Sequence, residues 1–290
     1  MSWSSFIASG MHENCNTALA STSTWIDHIL HPVDRRVCVD VEPTLRRLGF
    51  HRIQEVSTTD ALTNCTTFAA GNVLLQFVPT KSPFRSARAT AEAGLASTRA
   101  HHRTPYIALG TDDIERKAVE LREKGFRVSV SDPVPYVEIP CCDKVIRSKI
   151  VYVESASGPG IPCPCFVQWE PVDASHPQSV RPPLDQRAPR LREVAIAVEN
   201  LPRVVEHWGV LTRSTPSESW IQSDIQAYCV RIPEQDEFIT LCEPTGAGKI
   251  RDLLRIQGPQ PFLFSFHQAP ENRELELQGI TLRMEKHAQR

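Results

Sequence analysis

The sequence predicts an α+β protein built from repeated βαβββ modules that form cup-shaped mixed sheets. Three observations lead to this prediction: strand-like apolar segments outnumber helical ones, a strand followed by a short helix occurs three times, and a glycine ends each of those helices. The three glycines, Gly49, Gly125 and Gly209, lie 76 and 84 residues apart. This period is too long for a solenoid and suits a module of one helix and four strands.

The first module begins with an apolar strand at Trp25–His31 and continues with a helix at Asp40–Leu48. An aspartate cap, Pro43 in the first turn and Gly49 after the last residue are typical of a helix with these ends. Apolar runs bounded by turn residues then predict three strands. These strands are Phe50–Val56, Asn64–Ala70 and Val73–Val78.

The second and third modules repeat the same order. Asp112 or Asp113 caps a helix that ends at Gly125, and Asn200 caps a helix that has Pro202 in its first turn and ends at Gly209. The predicted strands are Tyr106–Gly110, Phe126–Val130, Ile146–Glu154, Cys165–Trp169, Leu191–Val198, Ser219–Ile221, Ala227–Ile232 and Phe238–Cys242. An abbreviated fourth copy has a helix at Lys249–Ile256 and strands at Phe262–His267 and Leu275–Met284.

Proline distribution indicates how the modules are grouped. Eight of the 23 prolines fall between Pro159 and Pro189, and proline cannot donate to a helix or a central strand. We therefore expect a flexible lead-in at 1–23, a two-module domain at 24–170, a proline-rich linker at 171–190, and a domain at 191–290 with the third module and the abbreviated fourth.

Composition limits the partners. A net charge of −2 argues against a nucleic-acid surface, and no window of about 18 apolar residues predicts a membrane span. Nine cysteines, an odd number in a chain too long to need disulfides, favour reduced thiols and a cytoplasmic location. The expected partner is therefore a small molecule.

Three segments resemble the vicinal oxygen chelate superfamily, which includes glyoxalases, bleomycin resistance proteins and dioxygenases, and within it the glyoxalase-like domain proteins. The segments are TWIDHILH, LTNCTTFAAGNVLLQF and CPCFVQWEP. The resemblance implies cups formed by paired modules, with metal ligands on the first and fourth strands of each module. It also implies pairing of modules either within one chain or between two chains, so a homodimer stays an open alternative.

The positions that the resemblance assigns to metal ligands are His28, Gln76, Tyr106 and Gln168. They supply no carboxylate, whereas a divalent metal with imidazole and oxygen ligands is normally held with at least one. We therefore expect no tightly bound metal or other cofactor. The third module offers Glu193 and Thr240 at the corresponding positions, which do not complete a site.

The sequence favours an enzyme that transfers protons on a small carbonyl-bearing metabolite, as an isomerase, lyase or cyclase. His28 is the candidate acid or base, with Asp27 beside it, and Tyr106 is a second catalytic candidate. An inward histidine or tyrosine can equally serve the core by satisfying a buried hydrogen bond.

The predicted substrate-binding residues are Asn64, Gln76 and Gln168, whose amides can hold a developing oxyanion, and Trp169, whose ring can line the wall of the cup. Ordinary pairing of buried amides is the structural alternative. Two other functions stay open: a metal-free protein that binds and sequesters a small molecule, and a divalent-metal-dependent lyase or dioxygenase with His28, Gln76 and Gln168 as ligands.

Overall fold

The computed structural model describes residues 23–53, 66–79, 105–131, 134–139, 144–154, 161–171, 184 and 186–286. Asn64, the lead-in at 1–22 and most of the predicted linker lie outside these residues. The helices are α1 (Arg35–Arg47), α2 (Ile114–Glu123), α3 (Leu201–Thr212) and α4 (Lys249–Gln257).

The strands fall into two groups along the chain. The first group is β1 (Thr24–Val33), β2 (His51–Ile53), β3 (Thr66–Ala69), β4 (Leu74–Pro79), β5 (Tyr106–Thr111), β6 (Arg127–Val130), β7 (Val134–Ile139), β8 (Lys144–Glu154) and β9 (Cys165–Pro171). The second group is β10 (Arg190–Ala197), β11 (Trp220–Gln222), β12 (Ala227–Glu234), β13 (Glu237–Pro244), β14 (Gln260–Ala269), β15 (Arg273–Leu277) and β16 (Ile280–Lys286).

The first sheet joins two modules side by side. Its strand order is β2-β3-β4-β1-β5-β9-β8-β6, with β7 beside β8. Each module contributes four consecutive positions, and the modules meet where β1 pairs antiparallel with β5. Because β1 also runs parallel to β4, the sheet is mixed, as the repeated modules predict.

The second sheet has the order β11-β12-β13-β10-β14-β16-β15 and repeats this arrangement with one module shortened. Strands β10 to β13 with α3 form a full third module. The fourth module consists of β14, β15 and β16, and α4 precedes its first strand instead of following it. The predicted α+β fold with mixed sheets is therefore confirmed.

One hydrophobic core joins the two sheets. It contains side chains from α1, α2 and α3 together with one face of each sheet, including Phe166, Trp208 and Phe264. Phe50, which follows α1, meets Phe266 of β14 edge to face at a centroid distance of 5.1 Å. The opposite face of each sheet, which we call its cup face, carries a separate hydrophobic cluster.

Two helices differ from the sequence prediction at one end. Helix α1 begins at Arg35 rather than after Asp40, so Pro43 lies inside it, where burial of Val41, Leu45 and Leu48 offsets the lost backbone hydrogen bond. Helix α3 continues past Gly209 and ends before Arg213, which takes the left-handed conformation at φ 58°. The expected glycine ends after α1 and α2 are correct, with Gly49 at φ 90° and Gly125 at φ 84°.

Two strand predictions also change. The segment predicted as one strand at Leu275–Met284 is a hairpin, because Gln278 and Gly279 both adopt positive φ and form a tight turn between β15 and β16. Strand β7 is an additional strand that the sequence analysis missed. Among the described helices, none is long and apolar enough to cross a bilayer.

Candidate active site

The first sheet places His28 at the centre of its cup face. His28 pairs with Leu74 of β4 on one side and with Ala108 of β5 on the other, and Ala108 pairs with Cys165 of β9. Directly paired residues share a face, so these four side chains form one row across the sheet. His28 is 6% exposed.

A β-bulge in β1 brings the preceding residue to the same face. The register of β1 against β5 shifts between Ile26, which pairs with Leu109, and His28, which pairs with Ala108. Asp27 is the extra residue of this bulge. Strict alternation would put Asp27 and His28 on opposite faces, whereas the bulge directs both toward the cup.

The Asp27 carboxylate is the centre of a buried hydrogen-bond cluster. The Nδ1 atom of His28 lies 2.9 Å from Oδ1 of Asp27. The indole Nε1 of Trp169 donates to both oxygens at 3.0 and 3.1 Å, and that of Trp25 donates to Oδ2 at 3.3 Å. Three N–H donors thus satisfy a carboxylate that is 4% exposed.

The position of Trp25 depends on a glycine opposite it. Trp25 pairs with Gly110 across β1 and β5. A Cβ atom at Gly110 would lie 2.1 Å from Cε2 of Trp25, so only glycine leaves room for this indole. Gly110 therefore allows Trp25 to reach Asp27.

Gln76 and Tyr106 lie on the cup face in the next row. Leu30 pairs with Gln76 on one side and with Tyr106 on the other, and it is two residues beyond His28 on β1. Same-face neighbours along a strand are about 7 Å apart. Gln76 and Tyr106 therefore lie on either side of Leu30, one row along the cup face from His28.

Gln168 does not lie in the cup, which corrects the sequence prediction. Phe166 of β9 pairs with Leu109 and belongs to the shared core, and Gln168 shares that face. The Oε1 atom of Gln168 accepts a hydrogen bond of 2.8 Å from the backbone N–H of Ile114, the first residue of α2. The cup face of β9 instead carries Cys165, Val167 and Trp169.

The structure therefore brings together four of the six predicted site residues: His28, Gln76, Tyr106 and Trp169. Asn64 lies outside the described residues. Sequence reasoning missed Trp25 and treated Asp27 only as a neighbour of His28. The adjacent pair Asp27-His28 carried no sign of a bulge, and the close approach of Trp25 to Gly110 is visible only in three dimensions.

The second sheet carries a different set of side chains at the corresponding positions. Glu193 follows a bulge in β10, as His28 does in β1, and Thr240 donates to its Oε1 at 2.5 Å. Farther along this face, α4 lays Ile250 and Leu254 against Ala195 and Ala197. Glu193 and Thr240, the two predicted residues of this sheet, thus form a hydrogen bond with each other. Helix α4 covers the adjoining surface around Ala195 and Ala197.

The described donor side chains of the first cup do not fit a tightly held divalent metal. Among the described residues no three histidine, cysteine or acidic side chains form a group that could hold a metal ion. Gln168 faces away, and the Asp27 oxygens already accept from three N–H groups. His28, Gln76 and Tyr106 alone give one imidazole, one amide and one phenol, a neutral set.

The family assignment rests on the sequence of this part of the chain. Residues 26–212 match the model of the glyoxalase-like domain. The chain belongs to the glyoxalase-like domain family. The match begins in β1 of this glyoxalase-like protein and ends with α3, so it includes both modules of the first cup. A search of curated protein sequences gives no significant match.

Solved structures show the fold of this glyoxalase-like protein independently. A hypothetical protein from Staphylococcus aureus is 16% identical with a TM-score of 0.61, over 91% of this chain and 99% of that one. A mutant of 4-hydroxymandelate synthase from Streptomyces coelicolor is 17% identical with a TM-score of 0.54, over 85% of this chain and 71% of that one. The glyoxalase-like protein thus has the vicinal oxygen chelate fold.

Proposed function

We propose that this protein is an enzyme that moves a proton on a small carbonyl-bearing metabolite bound in the first cup. The observation that supports this most directly is the 2.9 Å contact between Asp27 and Nδ1 of His28 on the cup face. A carboxylate beside one ring nitrogen holds the imidazole in a single tautomer and orientation. The other nitrogen, Nε2, is then the atom that exchanges a proton with the substrate.

The proposed reaction begins with removal of a proton from the carbon next to the substrate carbonyl. His28 Nε2 accepts this proton, and the C–H electron pair moves into an enolate whose charge lies on oxygen. Return of the proton to a neighbouring carbon gives an isomerase, and departure of a leaving group gives a lyase. Attack of the enolate on an electrophilic carbon of the same molecule gives a cyclase.

Gln76 and Tyr106 are suited to stabilise that enolate. The Gln76 side chain carries an N–H₂ donor and Tyr106 a phenolic O–H, and both flank the row next to His28. Donors fixed on neighbouring strands cost little reorganisation when charge develops on the substrate oxygen. No step in this scheme uses a metal ion.

The experiment follows the proton without knowledge of the product. The protein is incubated in D₂O with a panel of small aldehydes, ketones and 2-hydroxycarbonyl compounds, and proton NMR records loss of the C–H signal next to the carbonyl. We expect exchange with at least one compound, and a loss of about 10²-fold or more in His28→Ala. His51→Gln, which changes an exposed histidine on β2, is the matched control.

Two results would contradict the proposal. One is exchange in His28→Ala at the rate of the unaltered protein. The other is absence of exchange for every compound of the panel while one of them binds and is recovered unchanged.

That second result would favour a metal-free binding protein, the other candidate function. Aromatic side chains support it, since Trp169 lies on the cup face with Tyr106 and Tyr152 packed against the same cluster. Such walls bind planar ligands by stacking. A binding protein would be stabilised in thermal unfolding by a ligand that it returns unmodified.

A further inference from the structure

A cavity away from the first cup lies between the two halves of the chain. Its volume is about 460 Å³, within the usual range for small-ligand sites. It is lined by Asn72 from the turn between β3 and β4, by Gln186 before β10, by Arg190 and Leu191 at the start of β10, by Asp236 between β12 and β13, and by His267 and Gln268 at the end of β14. Polar side chains thus make up nearly all of its wall.

Arg190 is the group in this wall with unused hydrogen-bonding capacity. Its side chain is only 28% exposed. Among the residues that the structure describes, its one ionic partner is Asp236, at 3.9 Å, which is beyond hydrogen-bonding distance. Asp236 is 89% exposed and solvated, so the ion pair is weak. A half-buried guanidinium therefore faces the cavity with donors that no described side chain engages.

The backbone around Arg190 is held firmly. A Cβ atom at Gly71 would lie 2.6 Å from Cγ of Arg190. The aliphatic part of the Arg190 side chain therefore packs against the backbone of Gly71, where any other residue would clash with it. Asn72 accepts from the N–H of Leu191 at 2.7 Å and donates to its carbonyl at 2.8 Å. The N–H of Gly71 donates to the carbonyl of Pro189 at 2.8 Å. The turn between β3 and β4 thus fixes the residues on both sides of Arg190.

The other polar groups can complete a site for an oxyanion. His267 is the cross-strand neighbour of Arg190, and Gln268 follows it with φ 62°, the left-handed conformation. An imidazole and the amides of Gln186 and Gln268 supply N–H donors next to a guanidinium, whose planar fork matches a carboxylate or a phosphate.

We propose that this cavity binds the carboxylate or phosphate group of a small ligand, with Arg190 as its principal anchor. The ligand group accepts hydrogen bonds from the Arg190 guanidinium and from the surrounding amides. Asp236, at the solvent-exposed mouth, keeps its hydration. The site is independent of His28 and of the reaction proposed for the first cup.

Titration calorimetry with inorganic phosphate and with succinate, in low-salt chloride buffer, tests the proposal. We expect at least one of the two anions to bind with a dissociation constant in the millimolar range or below. Phosphate binding alone indicates a phosphate ester as the ligand, succinate binding alone indicates a carboxylate, and binding of both indicates their shared oxyanion chemistry. Each of these results supports the proposed site only if anion binding depends on Arg190.

Arg190→Gln should weaken binding by about tenfold or more, because a hydrogen bond to a charged group is lost. Arg192→Gln is the matched control, since Arg192 is two residues away, 54% exposed, and paired with Glu285 at 3.6 Å. His28→Ala should leave anion binding unchanged.

A second variant, Gln268→Gly, removes one amide at a position whose left-handed backbone suits glycine, so it gives a readout even where Arg190→Gln fails to fold. It should weaken binding several-fold. The proposal is overturned if neither anion binds, or if the folded Arg190→Gln or Gln268→Gly variant binds as tightly as the unaltered protein.

Discussion

Asp27 is the residue on which the geometry of the first cup depends. A buried carboxylate is costly unless its oxygens are hydrogen-bonded, and here Trp25, Trp169 and His28 provide the donors. These donors are also the side chains that form the centre of the cup. The same contacts thus satisfy the carboxylate and fix the ring of His28.

Asp27→Asn should therefore lower both activity and stability. An asparagine has one acceptor oxygen and brings an N–H₂ group against N–H donors, so the unfolding free energy should fall by about 1–3 kcal/mol. Deuterium exchange should fall by about 10² to 10⁴-fold, because the His28 tautomer is no longer fixed. Urea unfolding and the NMR exchange assay measure the two effects. An exchange rate equal to that of the unaltered protein would show that Asp27 has a purely structural role.

Gly110→Ala should displace Trp25 from Asp27. The new methyl group would overlap the indole, and overpacking of this kind costs about 1–3 kcal/mol. Tryptophan fluorescence and urea unfolding should both change. Gly246→Ala is the control, because the nearest atom to its added Cβ is the Gln226 amide oxygen at 3.7 Å. Equal stability of the two variants would mean that Trp25 can move without cost.

The sequence analysis expected His28 and Gln168 to face the cup, whereas in the structure His28 lies on the cup face and Gln168 on the opposite face. An amide in an apolar strand is compatible with either face, and the sequence offered no means to choose. The choice depends on the N-terminus of α2, whose first N–H group needs an acceptor. That requirement arises only when the helix packs on the sheet.

At the scale of single elements, the bulge in β1 determines what the cup contains. Without it, the side chains of Asp27 and His28 would point to opposite faces, and one of them would enter the hydrophobic core. Strand periodicity predicts an element's existence well, whereas a bulge adds one residue without any change in composition. This is why the modules could be predicted from the sequence, whereas the shared orientation of Asp27 and His28 could not.

The N-terminus of α2 gives a prediction that separates a helix cap from a substrate ligand. Gln168→Ala should lower stability by about 1 kcal/mol or more, since the N–H of Ile114 loses its acceptor. Gln168→Glu keeps an acceptor oxygen at a helix N-terminus and should retain most of that stability. Neither variant should change the deuterium-exchange rate by more than the experimental error. A large loss of deuterium exchange in folded Gln168→Glu would show that Gln168 contacts the substrate and does not only cap α2.

At the scale of the whole molecule, buried polar groups connect the two halves. His31 Nε2 donates to the carbonyl of Leu277 at 2.8 Å, and burial lowers the pKa of His31 to about 4. The Nζ atom of Lys117 donates to the carbonyl of Leu211 at 2.7 Å, and burial lowers the pKa of this lysine. Glu234, near Thr24, has a pKa raised to about 7, first of all by burial. We therefore expect the docking of the two halves to depend on pH.

His31 and Glu234 shift stability in opposite directions. In the folded protein the pKa of His31 lies below its ordinary value of 6.5. The free energy of unfolding therefore has the full contribution of His31 above pH 6.5 and loses it as the pH falls toward 4. In the folded protein the pKa of Glu234 lies above its ordinary value of 4.5. The free energy of unfolding therefore has the full contribution of Glu234 below pH 4.5 and loses it as the pH rises through 7. Between pH 4.5 and 6.5 the two changes should largely cancel.

Glu234→Gln should remove the loss of stability that ionisation of Glu234 causes as the pH rises. The variant should gain stability as the pH rises from 4 to 6.5, and above pH 7 it should exceed the unaltered protein by up to about 3 kcal/mol. Urea unfolding at closely spaced pH values measures both curves. Glu199→Gln, an exposed substitution after β10, should leave the curve unchanged. Parallel curves for Glu234→Gln and the unaltered protein would show that Glu234 does not couple folding to pH.

Helix α4 gives the second sheet a property that the first sheet lacks among the residues that the structure describes. Four residues connect α4 to β13 and two connect it to β14, so the helix is present at the second cup face at a high effective concentration. It acts there as an intramolecular ligand, with Ile250 and Leu254 bound against three alanines, Ala195, Ala197 and Ala227. Any external molecule that bound this surface would have to compete with it. The chain thus covers the cup face of its second sheet with its own helix, while the substrate site that we propose lies on the cup face of the first sheet.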